Sequence, residues 1–189
     1  MKTILRRASS ATLITTITLL ASSHAMGNQY NVNRAWTDGF GNASLTGTVD
    51  LPIGSYAIMN GTPNPFTAVA LTLTVNGTPF SLTHALTGVI KGTGQFLVEA
   101  TPTTLTFDTA NAGGSNPADL VFSDTTVLYA NNFYGIGYNG HPGFEVAYTD
   151  AGNVIADLAF PIVFGIIPEP STLALAGLGA ALMIARRRR

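Results

Sequence analysis

The 189-residue chain contains no cysteine. This excludes disulfides, thiolate metal sites and a cysteine nucleophile. Charge is also scarce: 10% of residues are charged, against about 25% in an ordinary soluble domain. Nine Lys+Arg stand against ten Asp+Glu, for a formal net charge of −1. That balance excludes a basic nucleic-acid binder and a charge-rich disordered chain. No Gly-x-Ser-x-Gly elbow is present, so a hydrolase triad has no support. No fixed-period repeat appears, and no motif for a cofactor or a metal is found.

What is present falls into three unlike segments. Residues 1–25 read as a secretory signal, with Lys2, Arg6 and Arg7 ahead of an uncharged stretch from Ala8 to Leu20. Ser23-His24-Ala25 supplies the small residues of a cleavage site, which places the cut between Ala25 and Met26. The segment is expected to be helical. Arg6-Arg7 is a twin arginine in weak surroundings, so the general secretory route is preferred.

At the other end, Pro168-Glu169-Pro170 precedes an uncharged Leu/Ala-rich run over residues 171–185, and Arg186, Arg187, Arg188 and Arg189 follow. Proline lacks an N–H and fixes φ, so the expected helix starts after Pro170, where Ser171 and Thr172 can cap it. Its length would be about 22 Å, short for a hydrocarbon core of about 30 Å. The arginines suit a cytoplasmic headgroup layer and can snorkel to it, and local thinning accommodates a short span. Residues 171–185 are therefore expected to be a short transmembrane helix and residues 186–189 its topology anchor.

The order Pro168-Glu169-Pro170, a helix containing Leu173, Leu175, Gly177, Leu178 and Gly179, then a basic tail, resembles the PEP-CTERM sorting signal. The resemblance covers residues 168–189, with residues 1–25 as its partner feature. It implies a Gram-negative bacterium that makes exopolysaccharide. It implies export, retention in the inner membrane by the C-terminal helix, and processing by an exosortase, a membrane transpeptidase-like cysteine enzyme. Pro168, Glu169 and Pro170 match the recognition element. The same tag is sometimes labelled an ice-binding protein C-terminal domain, which describes the tag and not an activity.

Residues 26–167 form the exported domain. Arg34 and Lys91 against nine acidic residues leave it at −7, between ends of +3 each. Short alternating runs punctuated by Gly, Pro, Asn and Thr predict an all-β fold, an antiparallel sandwich or barrel-like domain. Asn76-Gly77 predicts a type I′ hairpin pairing Val75 with Thr78, Leu73 with Phe80 and Leu71 with Leu82, and Pro79 with Thr74. A second hairpin is expected from Phe144–Thr149 through a turn at Asp150-Ala151-Gly152-Asn153 to a return strand holding Val154 to Phe160. Further strands are expected at Ala43–Val49, Ser55–Met59, Val89–Lys91, Gln95–Ala100, Thr103–Phe107, Leu120–Phe122, Thr126–Tyr129 and Tyr134–Tyr138, with residues 110–117 a loop.

Chemistry-bearing residues in this domain are few. His84 and His141 lack metal-ligand spacing. Glu99 and Glu145 would support glycoside cleavage only across a shared cleft, and an outward-facing charge on a strand is the plainer reading of each. Asp108, Asn111, Asp119 and Asp124 flank a loop without EF-hand spacing. Thr46/Thr48, Thr72/Thr74 and Thr104/Thr106 form short ladders, ordinary on a solvent-facing strand and unsupported as an ice-binding face without a solenoid period. Tyr134, Tyr138 and Phe144 are the candidate glycan contacts, since exposed rings stack on sugars, although alternating rings also build β cores. The expectation is an exported, non-enzymatic protein of the cell surface, biofilm or exopolysaccharide matrix. A glycan-binding adhesion module is the alternative, and a secreted glycan-active enzyme the third reading.

Overall fold

The computed structural model describes residues 27–58, 63–88, 96–108, 119–137 and 143–168. Among them run thirteen strands: β1 (Asn28–Thr37), β2 (Asn42–Leu51), β3 (Gly54–Ile58), β4 (Ala68–Val75), β5 (Thr78–Leu82), β6 (His84–Gly88), β7 (Phe96–Ala100), β8 (Thr104–Asp108), β9 (Asp119–Ser123), β10 (Phe133–Ile136), β11 (Phe144–Thr149), β12 (Gly152–Asp157) and β13 (Ile162–Ile166). No helix occurs among the described residues. The expected signal helix, the 171–185 helix, the Val89–Lys91 strand and most of the 110–117 loop lie outside them.

The strands form two antiparallel sheets. One has eight strands in the order β3-β7-β8-β13-β1-β2-β4-β5, the other five in the order β12-β11-β10-β9-β6. Both are open, and their inner faces share one core, so the domain is a sandwich and not a closed barrel. Core side chains come from both sheets, among them Val32, Leu45, Leu73 and Phe107 from the larger and Leu120, Phe122 and Tyr134 from the smaller. A column of rings crosses the interface. Phe107 stacks on Phe164 at 4.3 Å between centroids, Phe164 on Phe122 at 5.4 Å, and Tyr134 meets Trp36 at 5.4 Å. Such pairs add about 0.5–1.5 kcal/mol each beyond the area they bury.

The Asn76–Gly77 hairpin forms in the register read from the sequence. Leu71 pairs with Leu82, Leu73 with Phe80, Thr74 with Pro79 and Val75 with Thr78. Asn76 and Gly77 have φ of 49° and 85°, the two positive values that a type I′ turn requires. Pro79 is tolerated because β5 is an edge strand.

Other expectations are revised. The β11–β12 turn is tighter than predicted, since Thr149 pairs with Gly152 and Tyr148 with Asn153. Residues 126–129 are bends and a turn instead of a strand. They fold over the outside of the smaller sheet, where Leu128 and Tyr129 pack on Val121, Phe133 and Val146. This cover explains why β9 and β10 are buried along their whole length. Three strands went unforeseen: β1, β6 and β13.

Gly47 holds the middle of β2 at φ 126°, between Val32 and Leu71. Neighbouring inward positions hold Leu45 and Val49, both fully buried. A Cβ at residue 47 would run into the Ala70 carbonyl oxygen of β4, and the φ is one that L side chains rarely adopt. Gly47→Ala is expected to cost about 2–3 kcal/mol and to expose the β2–β4 amides, read by urea unfolding and hydrogen exchange.

Candidate functional site

Among the described residues, Arg34 is the one Lys or Arg, and the fold places it inward. On β1 the inward positions are Tyr30, Val32, Arg34 and Trp36, by the period-2 alternation of a strand. Its guanidinium meets Glu145 of β11 in the opposite sheet. Nε donates to Oε2 at 3.1 Å, and Nη2 donates to Oε1 at 3.1 Å and Oε2 at 3.0 Å. The Tyr134 hydroxyl of β10 donates to Oε2 at 2.8 Å. Side-chain exposure is 18% for Arg34 and 4% for Glu145. Burial alone would lower the Arg34 guanidinium, but Tyr134 and Glu145 beside it outweigh this and hold it above its ordinary value. Burial, reinforced by the Glu145 carboxylate, keeps the Tyr134 phenol well above the usual tyrosine range. The group is charged, paired and hydrogen-bonded, as a buried ion pair must be. With both Glu145 oxygens engaged, it acts as a strut between the sheets.

A second polar strap lies at the β1–β2 loop. Asp38 Oδ1 accepts from the backbone N–H of Phe40 at 2.7 Å and Gly41 at 2.9 Å, while Oδ2 accepts from Ile155 N–H of β12 at 2.8 Å. The donors, Ile155 foremost, hold its carboxyl below the ordinary value. Trp36 Nε1 donates to Val154 O at 3.3 Å, and Asn76 Nδ2 to Ala151 O at 3.2 Å. Together these tie the edge strand β12 and its turn to the larger sheet.

The candidate sites read from the sequence do not assemble. Tyr134 is fully buried, so its ring is closed to a sugar. The aromatic alternation that suggested stacking serves the core instead. Phe144 is half-buried at the start of β11, and Tyr138 lies outside the described residues. Glu145, expected to face outward, faces inward against Arg34. Glu99 is exposed on β7 of the other sheet, in a groove of about 270 Å³ lined also by Ser55, Thr106 and Asp108. The two glutamates therefore flank no common cleft. Asp119 is buried and accepts a hydrogen bond from the Tyr129 hydroxyl. Asp124 Oδ2 accepts from Asn132 Nδ2 at 3.0 Å. Asn111 and His141 lie outside the described residues. Among those residues no group of three His, Cys, Asp or Glu converges. His84 Nδ1 sits 3.0 Å from Thr83 Oγ1.

The threonine ladders do come together. Thr46 pairs with Thr72, flanked by Asn33 on β1 and Ser81 on β5. Ser44 pairs with Thr74, and Thr48 with Ala70. The outward face of β1, β2, β4 and β5 is thus a continuous surface of hydroxyl, amide and methyl groups, uncharged except for Asp50 near its end. Among the described residues the exposed rings include Phe40 at 90%, which the sequence did not single out, and Tyr148 at 42%, a member of the aromatic cluster spanning residues 129–148.

The ends of the domain converge. β13 lies beside β1, antiparallel, with Ile166 opposite Asn31. Ile167 N–H still donates to Thr103 O at 2.9 Å, so the fold reaches to the residue before Pro168. The Ala25–Met26 junction precedes β1 at the same end. Residues 1–26 and 169–189, including Glu169, Pro170 and Arg186 to Arg189, lie outside the described residues. Among the described residues no helix is long and apolar enough to cross a membrane.

A β sandwich whose last strand runs without a spacer into a Pro-Glu-Pro segment has the layout of an exported, C-terminally sorted protein. The PEP-CTERM protein-sorting motif family matches residues 167–189. The chain thus carries at residues 167–189 a PEP-CTERM protein-sorting motif, the kind of signal that implies export and processing by an exosortase. The match stops at the edge of the sandwich. No curated protein and no solved structure matches the chain.

Glu145→Leu is expected to lower the unfolding free energy by about 3 kcal/mol, since it strands the Arg34 charge between the sheets. The double variant Arg34→Leu/Glu145→Leu should lose less, by urea titration. Because the folded Asp38 value lies below the ordinary carboxylate pKa of about 3.9, its stabilisation is fully present above that value. It is lost as pH falls through the depressed one. Asp38→Asn should leave an amide opposed to the Ile155 N–H, lower stability at neutral pH, and flatten the acid limb of the unfolding profile.

Proposed function

We propose that the chain is a non-enzymatic structural protein of the cell surface and exopolysaccharide matrix. The observation that carries this reading is the direct junction between the folded sandwich and the sorting motif, in a domain whose buried ionisable groups are bonded into the fold. The signal over residues 1–25 delivers residues 26–167 across the inner membrane. The helix over residues 171–185 holds the chain there, with Arg186 to Arg189 on the cytoplasmic side. Exosortase recognises Pro168, Glu169 and Pro170, and removal of the tail frees the domain. The resemblance to other two-ended anchoring signals, in which a polar site precedes a removable apolar tail, supports this order.

A glycan-binding adhesion module is the second reading. It is favoured by the outward face of Asn31, Asn33, Thr46, Thr72 and Ser81, which offers hydrogen-bond donors and acceptors to a neutral polymer. The aromatic stacking first expected of Tyr134 does not support it. A secreted enzyme has the least support, because Glu145 is locked by Arg34 and Tyr134.

Mass spectrometry of the native product is expected to find a chain that begins at Met26, ends near Pro168 and lacks the four arginines. Recovery of intact Arg186 to Arg189 on most mature chains would overturn the sorting order. Retention of the mature protein on the host's own exopolysaccharide, reduced by Thr46→Lys with Thr72→Lys, would favour the adhesion reading; no retention would remove it.

A further inference from the structure

The distance between the last hydrogen bond of the sandwich and the first apolar residues of the tail is short. Ile167 is bonded to Thr103, and only Pro168, Glu169 and Pro170 separate it from Ser171. Fully extended, the four steps from Ile167 to Ser171 span at most about 14 Å. The headgroup layer of one leaflet takes up about 5–7 Å of that. A helix of about 22 Å must also draw its start toward the hydrocarbon to span at all. What remains is less than the width of one strand with its side chains. Resting on the anchored reading above, we propose that the pole of the sandwich at the β1 start and β13 end stands directly against the phospholipid headgroups while the tag is in place.

The chemistry of that pole fits a lipid surface. Among the described residues, the loops at this pole include Pro52-Ile53, between β2 and β3, and the Thr101–Thr104 turn between β7 and β8. The turn is closed by Thr101 N–H donating to Thr104 O at 2.8 Å and by the Thr101 hydroxyl accepting from Thr104 N–H at 2.9 Å. None of these residues is charged, and Ile53 is 56% exposed. Among the described residues the nearest acids, Asp50 and Glu99, sit on strands behind the loops and on the outward sheet face, directed sideways, and Glu169 lies in the tether itself. Asp38 and Asp150 lie toward the opposite end, with the Asn76–Gly77 turn and the Ala151 carbonyl it binds. A domain of net −7 would be repelled by an anionic leaflet, and this orientation sets two uncharged loops against it. Gly27 lies at the same pole, where a Cβ added to it would meet Thr67 and Leu51. The uncleaved signal would therefore leave from the membrane-facing side too.

The cysteine-free chain allows a direct test. Ile53→Cys, Thr103→Cys and Asp150→Cys are made singly in the signal-cleaved chain that begins at Met26 and keeps its C-terminal tag, labelled with a fluorophore, and reconstituted in vesicles of phosphatidylethanolamine and phosphatidylglycerol. A fraction of the lipid carries a headgroup nitroxide quencher. Flotation with the vesicles reports anchoring, and quenching reports the pole. The expected result is flotation of all three chains, with quenching several-fold stronger at residues 53 and 103 than at 150. A flexible Gly/Ser spacer of about ten residues, with ends about 17 Å apart on average, inserted after Ile167 should weaken that quenching several-fold without affecting flotation. Flotation with equal quenching at all three positions, or with none, overturns the proposal and leaves the anchored reading standing. Undiminished quenching with the spacer overturns the role of the short tether. Failure to float overturns the anchored reading and the proposal with it.

Discussion

β1 hydrogen-bonds to β13, so the first strand of the domain closes against the last. Everything between them must be enclosed before that pairing can form, and loop closure over such a separation is an entropic cost that only a large buried interface offsets. β1 is placed to collect that interface. It lies inside the eight-stranded sheet, pairs with β2 over ten residues, and presents Tyr30, Val32, Arg34 and Trp36 to the core. Two of these reach the other sheet: Arg34 through Glu145, and Trp36 through the Tyr134 ring and the Val154 carbonyl. The same pairing sets the start of β1 and the end of β13 side by side at one pole.

Several of the sandwich's few charges are bonded into the fold. Arg34 and Glu145 bridge the sheets, Asp38 straps the β12 edge, and Asp119 takes the Tyr129 hydroxyl beneath the 124–132 cover. What is left for the outer face of the larger sheet is mostly hydroxyl, amide and methyl. A neutral polymer or a neutral surface is the partner that such a face can satisfy, because it offers hydrogen bonds without the desolvation cost of a charge. Sorting chemistry and domain chemistry are therefore separate. The former resides in a short linear segment, and the latter in side chains that distant strands bring together.

The β4–β5 hairpin was legible to the residue because its information is local. Asn76-Gly77 specifies the turn, and the turn length specifies the register. The β11–β12 turn was harder, since Gly152 at φ 125° can serve either as turn or as first strand residue. β1 went unseen because its polar Asn positions and inward arginine disguise a regular alternation. Arg34 reads as a surface residue until Glu145 is placed opposite it, and the two lie 111 residues apart. β13 is a short apolar run beside prolines, which periodicity alone does not separate from a linker. Tyr134 is ambiguous in the sequence for a related reason. An alternating tyrosine has one face for solvent and one for the core, and only the second sheet decides which.

Sequence alone determined the sorting motif at the C-terminus of this protein, because such a motif is a linear code read without reference to a fold. It also determined the β class, through alternation and turn residues that act over a few positions. Tertiary structure decided what the domain does with its side chains. Which glutamate is buried, which threonines share a row and which end meets the tag all depend on pairings between distant strands. Those pairings are set by the burial of both sheets against one another, a property that no single segment carries.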